Sequence, residues 1–317
     1  MNGVEDATRA AILAARASAR GAVSAWRGST AFQALEARFA DCPVDDPAPA
    51  MARAADLLGG DRWAGELLDP LLGALAADPL FEPPLRANRD AMRIGAVLFE
   101  CPALSIAACR TSAAAMRRLP APMTIPFSGR LAVTRYVRAG GATLRRWQTE
   151  PACPDFRASA APPCKEAPAR RLADGDVVAI DGHCEAQLLA DAASDVVTLV
   201  ATVRAGAAPL MREHAITDGR LLRVASGDDR ASRAEMLLAF LRLSGRADAG
   251  ARFEEATHDS AFHLRWAAMR EWLALDARTA LPRLKAMAAG DPHAEIRDAA
   301  AQMLALVRPR LEAACRA

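Results

Sequence analysis

His183-Cys184-Glu185 and the later His214 are the residues whose types come nearest to a metal centre. Positions two apart on a strand share a face, so His183 and Glu185 can point the same way. With His214 they would make the two-histidine, one-carboxylate set that holds Fe(II). The competing reading makes His183 a turn residue, because it directly follows Asp181-Gly182, and Glu185 a polar residue at a strand edge. Cys153, Cys164, His183 and Cys184 have the donor types of a zinc site but lack a Cys-x-x-Cys knuckle, and unpaired thiols explain the same residues. Nucleophilic catalysis has no Gly-x-Ser-x-Gly elbow to rest on, and Cys101 and Cys109, flanking Leu104 to Ala108, read as small buried thiols. Gly140-Gly141 runs into a strand with no Lys-Ser or Lys-Thr behind it, so no phosphate loop is present. His258 and His263 do not share a helix face, and His293 follows Pro292 as a surface residue of a first helical turn. Trp266 and Trp272 read as helix packing, against the alternative of a partner-binding aromatic pair.

Binding has a better foothold. Arg130, Arg135, Arg138, Arg145 and Arg146 sit on one hairpin with Tyr136 and Trp147 interleaved. A guanidinium grips a carboxylate or phosphate with two parallel bonds, and an adjacent ring stacks on an organic ligand or a peptide. Arg135, Tyr136, Arg145 and Trp147 are therefore the candidate ligand-binding residues for a small anionic ligand or peptide. A merely solvated face is the alternative, since alternate strand positions look outward anyway.

The elements that must position these residues fall into three textures. Residues 1–88 read as helical, with alanine-rich segments broken at Gly28, at Pro43 to Pro49 and at Gly59-Gly60. From 89 to 226 short alternating runs are punctuated by Ser128-Gly129, Gly140-Gly141, Asp174-Gly175, Asp181-Gly182 and Asp218-Gly219, the signature of an antiparallel barrel or jelly roll. Within it the proline-rich stretch Glu150 to Arg171 reads as a long loop. From 227 to 317 the period is helical again, with Asp228 or Asp229 capping the first helix.

Two resemblances attach to these textures. Asp174 to Gly182, Asp-Gly-Asp-Val-Val-Ala-Ile-Asp-Gly, resembles the turn-strand-turn stretch of cupin-type barrels. That resemblance implies a barrel which, in its metal-binding members, carries a His-x-His pair on the strand after the Gly-Gly turn. Here that strand reads Ala142 to Trp147 without histidine; laid on Gly175, the second motif's proline falls on Asp181 and its histidine on Ala186. Asp259 with Leu264-Arg265-Trp266, closed by Leu275-Asp276, then Gly290-Asp291-Pro292-His293 leading into Glu295 to Ala300, resembles HEAT or armadillo-type helical repeats. One and a half to two such repeats imply packing on the rest of the protein or on a partner, since each needs neighbours to bury its face.

Composition narrows the classes further. All but two of the 40 basic residues are arginine, balanced by 38 acidic ones to a net charge of +2, too little to steer the chain to nucleic acid. The arginine and alanine excess reads as a GC-rich, bacterial coding genome. No run of about twenty apolar residues spans a bilayer and the opening lacks a secretory pattern, so the expected location is cytoplasmic. Seven scattered cysteines read as reduced thiols, mostly buried. The expectation is an α+β protein of three parts: a helical N-terminal region, a central antiparallel cupin-like β-barrel and C-terminal HEAT-like repeats. Its expected role is non-catalytic ligand binding or regulation without a cofactor, the repeats contacting a protein partner or a second copy. The alternative is a divergent metal-dependent dioxygenase or isomerase of the cupin class using His183, Glu185 and His214.

Overall fold

The computed structural model describes residues 2–78, 80–152 and 156–314. They divide into two compact units that cut across the three-part reading: the first takes the chain to Ile125 with 130–148 and 165–207, the second 126–129, 149–164 and everything from Ala208.

The alanine-rich start folds as α1 (Asn2–Arg27), α2 (Thr30–Phe39), α3 (Pro47–Leu58) and α4 (Arg62–Ala77), broken where glycine and proline predict. Ser29 caps α2 through a 3.3 Å bond from Phe32 N, and Asp46 caps α3 through a 2.9 Å bond from Ala48 N, with Pro47 in the first turn. The apolar faces of these helices, with Leu35, Phe39, Ala54, Leu58 and Leu67, share one core with Leu98, Phe99, Leu104, Ile106, Val133 and Leu199. The N-terminal helices are thus one layer of the first unit.

The other layer is antiparallel sheet. Strands β1 (Arg86–Arg89), β2 (Arg93–Glu100), β3 (Leu104–Thr111), β5 (Leu131–Arg138), β8 (Val177–Asp181) and β10 (Val196–Val203) run in the order β1-β2-β3-β10-β5-β8. Every neighbouring pair is antiparallel. A second sheet, β7-β6-β9, joins β6 (Thr143–Gln148) to β7 (Lys165–Arg171) and β9 (Glu185–Ala190). Tyr136, Ala142, Leu144, Leu172 and Val196 form the core shared by the two sheets. Gly140, between β5 and β6, is at φ +60°, and a Cβ there would sit 2.2 Å from the Ser194 carbonyl, so only glycine closes this hairpin.

Three elements depart from the expected pattern. The loop read over 150–171 ends in β7, an edge strand whose exposed residues and Pro168 hide its pairing. Proline is accommodated because the register slips opposite Leu144 and Arg146. Helix α5 (Ala113–Arg118), capped by Ser112, and the short exposed β1 were also unmarked by periodicity.

In the second unit the end of β4 (Thr124–Phe127) joins β11 (Leu210–Ala215) and β12 (Leu221–Ser226) in the order β12-β11-β4. Then come α6 (Asp229–Leu243), α7 (Gly250–Ala256), α8 (Phe262–Gly290) and α9 (Ala294–Ala314), around a core with Leu238, Phe253, Leu264, Met269, Trp272, Leu284 and Ile296. Helix α8 is two helices in one: Asp276 leaves helical geometry at φ −150°, ψ 93°, and its carboxylate caps the second half through Arg278 N (3.0 Å) and Thr279 N (3.3 Å). The turn before α9 is held by Asp291, 1% exposed, which accepts two bonds from Arg265 (2.9 and 2.6 Å) and one from His293 N (2.9 Å). His293 is buried there, not at the surface, and stacks on Phe262 with ring centroids 3.9 Å apart. Among the described residues no helix is long and apolar enough to cross a membrane.

Candidate ligand-binding site

The four residues expected to line a ligand cup do not share one. Arg135 and Tyr136 are adjacent on β5 and face opposite ways. Arg135 reaches α3, donating to the carbonyls of Leu58 (3.3 Å) and Gly59 (2.9 Å) and to Gly175 (3.3 Å), with Asp61 3.7 Å away. It therefore satisfies the C-terminal carbonyls of a helix, a task that uses its charge internally. Tyr136 lies in the core between the sheets, and burial pushes its phenol up to about 12. Arg145 and Trp147, two apart on β6, do meet: the guanidinium carbon is 4.7 Å from the indole centroid. Arg145 also donates to Glu166 at 2.8 Å, and Trp147 is 2% exposed, so the pair is a packed cation–π contact and not an open cradle.

The metal reading meets a similar obstacle. The His183 Nδ1 lies 2.6 Å from Asp181 and its Nε2 2.8 Å from the Gly206 carbonyl, so both ring nitrogens are engaged in closing the Asp181-Gly182 turn. Glu185 accepts from Arg146 (3.0 Å) and from the Asp181 amide (3.2 Å). His214 is fully buried against Phe127 and donates from Nδ1 to the Gly219 carbonyl at 2.8 Å, while its Nε2 has no partner. Burial lowers its affinity for a proton, which suits a neutral core imidazole. Among the described residues no group of three or more His, Cys, Asp or Glu is placed to hold a metal. Cys153, of the zinc alternative, and Cys315 lie outside the described residues. The described cysteines form no disulfide; Cys164 is buried, whereas Cys42, Cys101, Cys109 and Cys184 are half-buried, more open than expected.

The residues that do converge are in the second unit. A cavity of about 600 Å³ opens between β12, α6, α8 and the start of α9, within the usual size range for a small-molecule site. Its apolar wall is Phe156, Leu210, Val224, Phe262, Trp266 and Ile296, and its polar groups are Ser226, Ser232, Glu235, His263, Arg270 and Glu295. Helical spacing explains the α8 contribution: Phe262, His263, Trp266 and Arg270 fall at i, i+1, i+4 and i+8 along one face. Burial pushes the Glu235 carboxyl up, partly opposed by Arg270, and burial pushes the His263 imidazole down.

Ser226 and His263 stand in hydrogen-bond reach, Oγ to Nε2 at 3.1 Å, the contact a serine nucleophile makes with its base. The rest of the wiring assigns it otherwise. The Ser226 hydroxyl donates to the Asp228 carbonyl (3.1 Å) and accepts from the Asp228 amide (3.2 Å), so the bond to the ring is one that Nε2–H donates. Nδ1 of His263 is buried without a partner, and no carboxylate orients the ring as a triad requires. His263 is thus a neutral donor that ties α8 to the end of β12.

No protein-family model and no curated protein matches the chain. Solved structures align over parts of it. KdgF from Halomonas sp. matches at 11% identity over 38% of this chain and 86% of its own, with a TM-score of 0.24. Fe(II)-HppE with the alternative substrate (S)-1-HPP matches at 15% over 53% and 93%, TM-score 0.25. The 7S globulin of Momordica charantia matches at 12% over 41% and 35%, TM-score 0.26.

Proposed function

We propose that this protein is a ligand-binding or regulatory module whose ligand seat is the cavity of the second unit. The observation that supports the reading is the convergence of three aromatic side chains with a few polar groups around about 600 Å³, with no assembled nucleophile or metal set beside it among the described residues. The expected seat on the β5–β6 hairpin, at Arg135, Tyr136, Arg145 and Trp147, is less favoured, because those side chains are spent on packing and on a helix end. The cupin-class enzyme alternative through His183, Glu185 and His214 lacks free donor atoms in His183 and Glu185. The cupin-like reading of the sheet itself draws on strand order: β3, β10, β5 and β8 are neighbours although distant in sequence, as jelly-roll topology requires. Contact with a protein partner or a second copy is supported by α6, where Met236, Leu237, Phe240 and Leu243 are all more than 60% exposed while Leu238 is in the core. A helix apolar on two faces is one whose outer face is suited to being covered.

A thermal-shift screen of metabolites on the intact protein tests the ligand seat. A compound that binds only the folded state raises the melting temperature by mass action, and the rise must vanish in Ala299→Phe, which fills the cavity. A shift unchanged by Ala299→Phe, or no shift across the panel, overturns the assignment.

A further inference from the structure

From the lining of this cavity we infer that its ligand is a small organic cation, an amine or quaternary ammonium carried on an apolar or aromatic body. The inference rests on the cavity being a ligand seat and adds the charge of what it takes. Three aromatic residues contribute to the wall: Phe156, which already carries the Arg212 guanidinium 5.8 Å over its ring, Phe262, one face of which is stacked on His293, and Trp266, whose indole has no such neighbour among the described residues. An aromatic face is negative at its centre and attracts a cation more than a neutral group of equal shape. Two carboxylates, Glu235 and Glu295, stand in the same lining against a single guanidinium, Arg270. His263 also faces the site, and burial favours its neutral form, so the lining is negative on balance. Arg270 is exposed, whereas Glu235 and Glu295 are half-buried, so the positive group is the better hydrated one.

Neither carboxylate accepts a hydrogen bond from another side chain among the described residues, although elsewhere in the second unit Asp259, Glu271 and Asp291 each hold an arginine. In a chain with arginine in such supply, two half-buried carboxylates left without a direct partner at an aromatic wall mark where an external cation would sit. An ammonium there would favour the ionised form of Glu235, which burial otherwise disfavours and which Arg270 supports only in part. An anion would meet both carboxylates at once, with the exposed Arg270 as the one guanidinium of the lining in its favour.

The test uses the full chain and four probes of similar body: benzyltrimethylammonium, benzylamine, benzyl alcohol and benzoate, titrated by isothermal calorimetry. The two cations are expected to bind about tenfold or more tighter than benzyl alcohol, with benzoate weakest. Glu235→Gln, checked for unchanged circular dichroism and melting, should bring the cations to within about threefold of the alcohol while leaving the alcohol's affinity as it was. Glu295→Gln is the second variant should Glu235→Gln fail to fold. Equal binding of alcohol and cations, or tighter binding of benzoate, overturns the cation assignment and leaves the ligand seat standing. Binding of none of the four overturns the cation assignment. If Ala299→Phe also leaves every metabolite shift unchanged, the ligand seat falls with it.

Discussion

Replacing Asp291 by alanine should destabilise the second unit by about 4 kcal/mol. Asp291 and Arg265 form an ion pair whose side chains are 1% and 8% exposed, joined by two short bonds. Removing one member leaves the other charge buried and unpaired, which costs about 3–5 kcal/mol, whereas an exposed pair is worth about 1 kcal/mol or less. The His293 amide loses its acceptor as well, at about 1 kcal/mol. Arg265 keeps the carbonyls of Asp259 (3.0 Å) and Ser260 (3.2 Å), which cushions the loss and sets the figure inside that range. Urea unfolding followed by circular dichroism should show the midpoint falling by about 2 M for a slope of about 2 kcal/mol per M. Hydrogen exchange at α8 amides locates the change in the second unit. The double variant Arg265→Met, Asp291→Asn retains the cap on His293 and removes both charges, so it should lose about 1–2 kcal/mol, less than the single alanine. Burial raises the Asp291 carboxyl, but the Arg265 and His293 bonds outweigh it and hold it low. This stabilisation is therefore present above the ordinary carboxylate pKa and lost as pH falls through the lowered folded value. A single-variant cost below about 1 kcal/mol, or a double variant worse than the single, would refute the reasoning.

Tyr136 is the only tyrosine, so ultraviolet absorbance titration reads it alone; the folded protein should ionise near 12, and stability should drain as pH climbs above the unfolded value of about 10. A midpoint near 10 in protein still folded would contradict its burial. His214 and His263 are both lowered by burial, so stability should fall as pH drops below about 6.5, where only the unfolded chain takes up their protons. His214→Gln should flatten part of that slope in denaturant titrations at about pH 7 and about pH 5.5, and an unaltered slope counts against it. Arg135→Met should loosen α3 by about 1–3 kcal/mol, read as faster hydrogen exchange in its last turn, and Arg135→Lys should recover only part. Gly219→Ala places a Cβ 2.0 Å from the Cys164 carbonyl at φ +71° and should cost more than about 1 kcal/mol in urea unfolding.

Strands flanked by Asp-Gly or Gly-Gly turns were legible because alternation and turn chemistry speak together, as for β5, β6 and β8. Strand β7 was not, because an edge strand with seven residues nearly all outside presents no apolar face to alternate. Asp276 and Asp291 could be read as helix punctuation, whereas the burial of Asp291 on Arg265 depends on a residue 26 positions away. Arg145 and Trp147, both named as candidate binding residues, are two apart on one strand and so share a face. Arg135 and Tyr136 do not, since neighbours on a strand cannot share a face. The cavity lay beyond reach: Phe156, Val224, Glu235, Trp266 and Ile296 come from five separate segments, and each alone looks like ordinary packing.

The shared core of the N-terminal helices and the large sheet bears on how this chain can be divided. Composition suggests a cut near residue 88, yet that cut would strip the cover from Leu98, Phe99, Leu104, Ile106 and Val133 and leave a wet apolar sheet face. A fragment starting there should aggregate or bind hydrophobic dyes. The helices act as the sheet's permanent roof, so the smallest portable piece carrying these strands begins with α1 or α2, and any shuffling of this architecture between proteins has to move helices and strands together.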